Sequence, residues 1–191
     1  MHDMNARTTK LAEVNDDDFA WMLQGEPALR RGLTLPPGGV DTPEVLAIVR
    51  QIVARMHAEH CRGAWMMISG DEVVGLCSYR RPPANGEVEI GYGVAASRRG
   101  LGHATRAVEA LCAEAMAAGV RVLCADTAIA NPASGRVLAK NGFVSFGTRI
   151  DPDDGNVVIW RKALTSDAAA REDAEQQHSA LPTLDRIGYP Q

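Results

Sequence analysis

Residues 94–107, VAASRRGLGHATRA, have the types and spacing best suited to chemistry, and they join a predicted strand to a predicted helix. Small residues at alternate positions, such as Gly100 and Gly102, let a backbone approach a ligand closely. The first N–H groups of a helix are unpaired and partly positive. With Arg98 or Arg99 as a counter-charge, the segment suits a phosphate or pyrophosphate. The alternative is an ordinary glycine-containing helix entry with solvated arginines.

Two carboxylates, Glu87 and Glu89, alternate on one face of the strand EVEIGYGV that precedes this segment. A carboxylate in that position can accept a proton from a substrate group, directly or through a water molecule. Solvated strand charges or salt-bridge partners explain both residues equally well.

Two further patterns resemble ligand-binding motifs but lack the features that such sites require. Residues 91–96 match the G-x-G-x-x-A pattern of dinucleotide-binding loops. The predicted helix begins several residues later, however, and the acidic residue expected about 20 positions on falls inside that helix as Glu114. Residues 57–61 read H-x-E-H-C near a helix end, with no second ligand cluster in the sequence. We therefore predict neither a dinucleotide site nor a metal site.

The elements that must position these residues follow from hydrophobic periodicity and turn signals. Strands are predicted at 8–14, 64–69, 72–80, 87–94, 121–128, 143–150 and 156–163. Helices are predicted after the Asn15 cap, at 43–61, at 101–118, and from Pro132 to the cap at Gly142, with Asn131 as N-cap. The first strands follow one another by hairpins, whereas the strand–helix–strand unit from Glu87 to Thr127 is expected to be parallel.

Composition favours one α/β domain with its own core. The chain has 191 residues, 46% hydrophobic and 23% charged, with a formal net charge of −4. That balance gives no basic footprint for nucleic acid. The N-terminal residues lack an apolar signal region, and no run approaches the ~18 apolar residues of a membrane span. Scattered cysteines without a C-x-x-C pair favour reduced, buried thiols and a cytoplasmic location rather than a nucleophile. These are Cys61, Cys77, Cys112 and Cys124.

The last residues differ in composition from the rest. Residues 164–191 are rich in Ala, Asp, Glu and Gln and offer few side chains for a core. We predict a functional domain at residues 1–163 and an acidic tail at 164–191 that is partly disordered or packed on a surface.

Two motifs resemble the GNAT superfamily of N-acetyltransferases. Arg99 to Thr105, R-G-L-G-H-A-T, is similar to the superfamily's coenzyme A loop, Q/R-x-x-G-x-G/A. EIGYGV and NPASGRVLAKNGF are similar to the branch that includes ribosomal-protein N-acetyltransferases. The resemblance covers about residues 8–163. It implies a mixed, mostly antiparallel sheet of about seven strands, flanked by helices on both faces, whose two central strands splay apart to admit coenzyme A.

The resemblance also assigns residues to the coenzyme. Arg99 begins the loop, the backbone of Tyr92, Gly93 and Val94 is expected to pair with the pantetheine arm, and Asn131 is expected to contact it. Asn131 is equally explained as a helix cap. The backbone N–H groups expected to face the pyrophosphate belong to Gly100, Leu101, Gly102, His103, Ala104 and Thr105.

The implied reaction is direct transfer of acetyl from acetyl-CoA to an amine, without an acyl-enzyme or a metal. Ser134 falls where related enzymes place a hydroxyl that protonates the leaving thiolate, although many members use a tyrosine that this helix lacks. Glu89, Glu87 or a water relay is the expected base. A lysine amine with a pKa near 10.4 needs a base more than an α-amine near 7.7–8.0 does.

The sequence does not identify the acceptor. We expect an amine-bearing small molecule or protein N-terminus, selected by Phe19, Trp21, Met22, the loop from Gly32 to Gly39 and the last hairpin. A homodimer is common in the superfamily. The alternative functions are a non-catalytic acyl-CoA-binding or regulatory module and a purely structural domain.

Overall fold

A single seven-stranded sheet organises the chain in the order β1-β2-β3-β4-β5-β7-β6. The structure, a computed structural model, describes residues 8–25, 29–152 and 155–164. The strands are β1 (Lys10–Glu13), β2 (Ala64–Ser69), β3 (Glu72–Tyr79), β4 (Glu87–Val94), β5 (Val122–Ala128), β6 (Val144–Asp151) and β7 (Gly155–Ala163). The helices are α1 (Asp16–Gln24), α2 (Pro43–Ala58), α3 (His103–Ala117) and α4 (Pro132–Lys140).

This order confirms the predicted fold class and the predicted succession of elements. Only β4 and β5 run parallel, and the other neighbouring strands are antiparallel. The predicted tail lies outside the described residues from residue 165 onward, so the domain boundary at 163 stays a prediction.

Helix α4 shows how local sequence sets an element's ends. Asn131 caps it, with its side-chain oxygen accepting from the N–H of Ser134 at 3.2 Å. At the other end Gly142 has a φ of 77°, and its N–H donates to the carbonyl of Ala139 at 3.1 Å. The N–H of Phe143 donates to Leu138 at 3.1 Å, which completes a Schellman motif.

Two hydrophobic clusters cover the two faces of the sheet. On one face, α3 packs Val108 and Leu111 onto alternate residues of β2, Trp65 and Met67. On the other face, α1 and α2 pack onto the intervening residues, including Met66. Strands β2 and β3 therefore have helices on both sides.

The second cluster corrects one expectation about the acceptor. Phe19, Trp21 and Met22 of α1 are 0%, 6% and 4% exposed, because their apolar side chains fill the core between α1 and the sheet. Phe19 and Met22 are too deeply buried to line a binding surface, so their assignment to acceptor selection is wrong, whereas Trp21 borders a surface pocket beside Arg30 and its assignment stays a prediction.

Among the described residues, no helix combines the length and the apolarity that crossing a membrane requires.

Candidate active site

The centre of the sheet opens between β4 and β5. Their parallel pairing joins Glu87 to Val122, Val88 to Leu123 and Glu89 to Cys124, and extends no further. Beyond it β4 continues to pair with β3, and β5 with β7. The backbone N–H and C=O groups on the β5 side of residues 90–94 therefore have no neighbouring strand. This gap is the predicted splay of the two strands.

The loop after β4 ends in a helix start suited to an anion. Gly100 and Gly102 both have φ of +79°, a left-handed conformation that glycine adopts without strain. Gly102 is the N-cap of α3 and supplies no side-chain hydrogen bond. The other three α-helices in the described part of the chain are each capped by an asparagine or threonine side chain. The first-turn N–H groups of α3 thus remain available to a ligand.

The two arginines of the loop have different partners. Arg98 donates from Nε and Nη2 to the Glu72 carboxylate at 2.5 and 2.9 Å. This contact raises the pKa of Arg98 and fixes its side chain on β3. Arg99 is exposed, and its Nε donates to the carbonyl of Val94 at 3.2 Å. The guanidinium of Arg99 is therefore without a carboxylate partner among the described residues, whereas that of Arg98 is paired.

A groove of about 590 Å³ connects the loop to the open edge of β4 and to α4. It brings together the predicted coenzyme residues, with Leu101 as the exception, since the side chain of Leu101 is 60% exposed. The predicted residues that line the groove are Tyr92, Gly93, Val94, Arg99, Gly100, Gly102, His103, Ala104, Thr105, Asn131 and Ser134.

Ser134 is held by a tyrosine from the neighbouring strand. Its hydroxyl donates to the Tyr92 hydroxyl at 2.7 Å, and that hydroxyl donates to the Ser134 carbonyl at 2.9 Å. Burial raises the pKa of Tyr92 to about 12, although the Ser134 hydrogen bond acts in the opposite direction. The Tyr92 hydroxyl is therefore protonated throughout the physiological range. Sequence reasoning placed the backbone of Tyr92 at the site but missed its side chain.

Two contacts fix α4 against its surroundings. Gly135 is buried, and a Cβ there would stand 3.0 Å from the Trp160 ring, so a larger residue would push the helix off β7. Asn141 bridges to α3, with Nδ2 donating to the Thr105 carbonyl at 3.1 Å and to Val137 at 2.9 Å. The two helices that form the groove are thereby held in register.

Two cations in the groove were missed by sequence reasoning. Arg136 and Lys140 are exposed, line the groove and form no ion pair with any residue that the structure describes. Their separation of four residues places them on one face of α4. This spacing of four residues, on a helix whose N-cap is the candidate site residue Asn131, is the sequence signal that could have identified the two cations.

His103, the first residue of α3, is buried beneath the loop. Its Nδ1 lies 3.1 Å from Thr9 Oγ1 and 3.2 Å from Arg106 Nη2. Because an arginine only donates, Nδ1 acts as an acceptor and the imidazole is neutral. Burial, together with the charges of Arg106 and Arg98, lowers the pKa of His103.

The candidate bases lie on the face of β4 opposite to Tyr92. Glu89 contacts Arg80 at 3.4 Å and Arg81 at 3.5 Å, and Glu87 pairs with Arg161. Glu89 is four residues from Gly93, or roughly 13 Å at about 3.3 Å per residue. The structure thus brings neither carboxylate next to Ser134.

Within residues 8–25, 29–152 and 155–164, no cluster of three His, Cys, Asp or Glu side chains is arranged for a metal ion. All four cysteines are free, and burial raises the pKa of Cys77, Cys112 and Cys124, which disfavours the thiolate form.

The family model described as the acetyltransferase (GNAT) domain matches residues 9–144. No curated protein sequence matches the chain.

Three solved structures are similar over most of their length. One is a ribosomal L7/L12 α-N-protein acetyltransferase in complex with coenzyme A, with a TM-score of 0.62 and 19% identity over 82% of this chain and 94% of that chain. A ribosomal-protein-S5-alanine acetyltransferase from Vibrio fischeri has a TM-score of 0.63 and 16% identity over 83% and 94%. An aminoglycoside acetyltransferase, AAC(6')-Ib, with coenzyme A, has a TM-score of 0.62 and 18% identity over 87% and 99%. These likenesses agree with the predicted fold.

Proposed function

The chain belongs to the GNAT acetyltransferase family, and from that premise we propose that it transfers acetyl from acetyl-CoA to a primary amine by direct attack in a ternary complex. The observation that carries the proposal is the uncapped start of α3. It opens onto a groove that ends at the Tyr92–Ser134 pair beside the unpaired edge of β4.

The residues present fit coenzyme A. The N–H groups from Gly100 to Thr105 bind the pyrophosphate, and glycine at position 102 adopts the left-handed turn before α3 while leaving room for Arg106, whose Nη1 would lie 2.8 Å from a Cβ there. Arg99 supplies positive charge at the loop, and Arg136 and Lys140 supply it along α4. Asn131 lies beside the arm, and the free edge of Tyr92 to Val94 receives it as an added strand would be received.

Acetyl-CoA supplies an activated thioester, whose carbonyl carbon bonds to the amine nitrogen as the bond to sulfur breaks. Ser134 then turns its hydroxyl from Tyr92 to the departing sulfur and donates its proton while it takes one from a water molecule, so that coenzyme A leaves as the thiol and the Ser134 hydroxyl is restored. Tyr92 positions that hydroxyl and, with a pKa of about 12, carries no charge that would repel a thiolate. A thiol pKa near 8.5 makes the sulfur a good leaving group, so this donation helps a step that is already feasible.

The amine must lose a proton, and we propose that Glu89 accepts it through water. Arg80 and Arg81 hold the Glu89 side chain by ion pairs, and its distance along β4 from Gly93 requires an intervening relay. Glu87, which pairs with Arg161, is the alternative acceptor.

The test is a reaction with acetyl-CoA and a panel of amines that includes polyamines, aminoglycosides, amino acids and peptides with free N-termini. Release of free coenzyme A is followed together with the mass gain of one acetyl group on the amine. We expect both signals, in equal amounts, for at least one class. Tight acetyl-CoA binding with neither signal for any amine would favour the non-catalytic module instead.

A further inference from the structure

The face of β4 that points away from the groove is bare of side chains at two positions. Gly91 and Gly93 alternate on that face with Glu89, while Tyr92 points the other way. A Cβ at Gly91 would have Arg80 Cγ at 3.8 Å and Ser78 Oγ at 3.9 Å, both at ordinary van der Waals distance. Backbone atoms therefore form the surface of a strip beside the opening between β4 and β5. We name this strip, from Glu89 to Gly93, the glycine strip.

Asp41, which lies between α1 and α2, stands over one end of the glycine strip. Its Oδ2 would lie 3.1 Å from a Cβ at Gly93, so the carboxylate occupies the space above that residue. Its Oδ1 accepts from the N–H of Thr42 at 2.8 Å, which orients the group. The contact with Thr42 uses one oxygen and leaves Oδ2 facing the strip.

Asp41 differs from the other carboxylates on this face in its partners. Glu87 pairs with Arg161, Glu89 with Arg80 and Arg81, and Asp126 with Arg149. Asp41 pairs with no cation among the described residues. Its charge is therefore available to a cation that comes from outside the chain.

Gly93 connects the two faces. On one face it lines the coenzyme groove together with Ser134, and on the other it lies beneath Asp41. A coenzyme in the groove and α4 behind it fill the first face, so an acceptor must approach across the glycine strip. An amine that reaches the opening at Gly93 meets the Asp41 carboxylate.

We infer that Asp41 binds the acceptor nitrogen through Oδ2 and selects acceptors that present a cationic amine. This inference rests on the proposed function. Asp41 holds the amine beside the thioester, while the proton leaves by the water route proposed for Glu89.

Two coenzyme A thioethers test the inference without knowledge of the acceptor. S-(2-aminoethyl)-coenzyme A carries an ammonium close to the place of the attacking nitrogen, and S-propyl-coenzyme A is a neutral molecule of the same shape. By calorimetry, the wild-type protein is expected to bind the amino probe more tightly by a factor of about 1.5 to 5, as for a partly exposed ion pair. The preference should shrink as salt rises.

Asp41→Asn keeps the size of the side chain and removes its charge. We expect this variant to bind the two probes equally, with its affinity for the propyl probe unchanged. Asp71→Asn, in the exposed β2–β3 turn, is the matched control and is expected to keep the preference. Equal binding by the wild-type protein, or a preference that survives in Asp41→Asn, overturns the inference alone. Failure of both probes to bind the wild-type protein overturns the proposed function together with it.

Discussion

The Tyr92 hydroxyl lies 2.7 Å from the Ser134 hydroxyl, although the two residues are 42 positions apart in the chain. Tyr92 belongs to the strand that opens the sheet, and Ser134 belongs to the first turn of α4. Their contact therefore places a hydroxyl pair at the end of the coenzyme groove. A tyrosine that the helix itself lacks is thus supplied from β4, which gives the leaving-group side of the reaction a structural basis.

Ser134→Ala removes the proposed proton donor. Because the hydroxyl acts mainly in the transition state, kcat and kcat/KM should fall together, by roughly 10²-fold or more, while acetyl-CoA affinity stays nearly intact. Steady-state kinetics and calorimetry with acetyl-CoA check the two halves of this prediction. A loss of less than about fivefold would reduce Ser134 to a residue of the helix turn.

Tyr92→Phe separates positioning from donation. It keeps the ring against the core and removes the atom that holds the Ser134 hydroxyl, so kcat should fall. If the two hydroxyls act as one unit, the loss of kcat in the double variant with Ser134→Ala and Tyr92→Phe should be far smaller than the product of the two single losses. Fully multiplicative losses in a double-mutant cycle would show that the hydroxyls act independently.

Gly102→Glu should abolish acetyl-CoA binding, measured by calorimetry, while circular dichroism still shows a folded domain. The substitution adds bulk and negative charge at the uncapped start of α3. Gly119→Glu is the matched control, since Gly119 has φ of +80° and nothing within 4 Å of a Cβ. Both variants carry a similar backbone cost, of about 1–2 kcal/mol. Normal binding by Gly102→Glu would exclude this loop as the pyrophosphate site.

Local sequence signals predicted the elements better than they predicted the site. The caps at Asn131 and Gly142 act within one turn, and the parallel pairing of β4 with β5 follows from the helix between them. The Tyr92–Ser134 contact depends on how two distant elements pack, which no local pattern encodes. Hydrophobic pattern alone also cannot tell a core-filling Phe19 from a ligand-contacting one, and this is why that assignment was wrong.

Glu89→Gln tests the base while keeping side-chain shape. If Glu89 receives the proton, the rising limb of kcat/KM against pH should flatten, and the loss should be greatest for acceptors with a high amine pKa. Glu87→Gln is the comparison on the same face, paired with Arg161 instead of Arg80 and Arg81. If the pH profile of Glu89→Gln matches that of the wild-type protein while the profile of Glu87→Gln is altered, Glu87 is the base instead.

His103 predicts a pH dependence of stability. Its pKa is lowered in the folded protein, chiefly by burial, so as pH falls the unfolded chain takes up the proton first, near the ordinary pKa of about 6.5. The stabilisation is therefore present above about pH 6.5 and is lost as pH falls toward the lowered pKa. The decrease in Tm between pH 7.5 and 5.5 should be smaller in His103→Asn than in the wild-type protein. A decrease in His103→Asn as large as that of the wild-type protein would contradict the assignment to His103.

Thermal unfolding with acetyl-CoA tests the central claim most directly, because every other assignment depends on the coenzyme site. At about 100 times its dissociation constant, acetyl-CoA should add roughly 2.7 kcal/mol to the free energy of unfolding. For a chain of this length that corresponds to a rise in Tm of about 5–10 °C, and Gly102→Glu should lose it. NAD at the same concentration should produce no rise. An unchanged Tm with acetyl-CoA, together with a rise with NAD, would contradict the account.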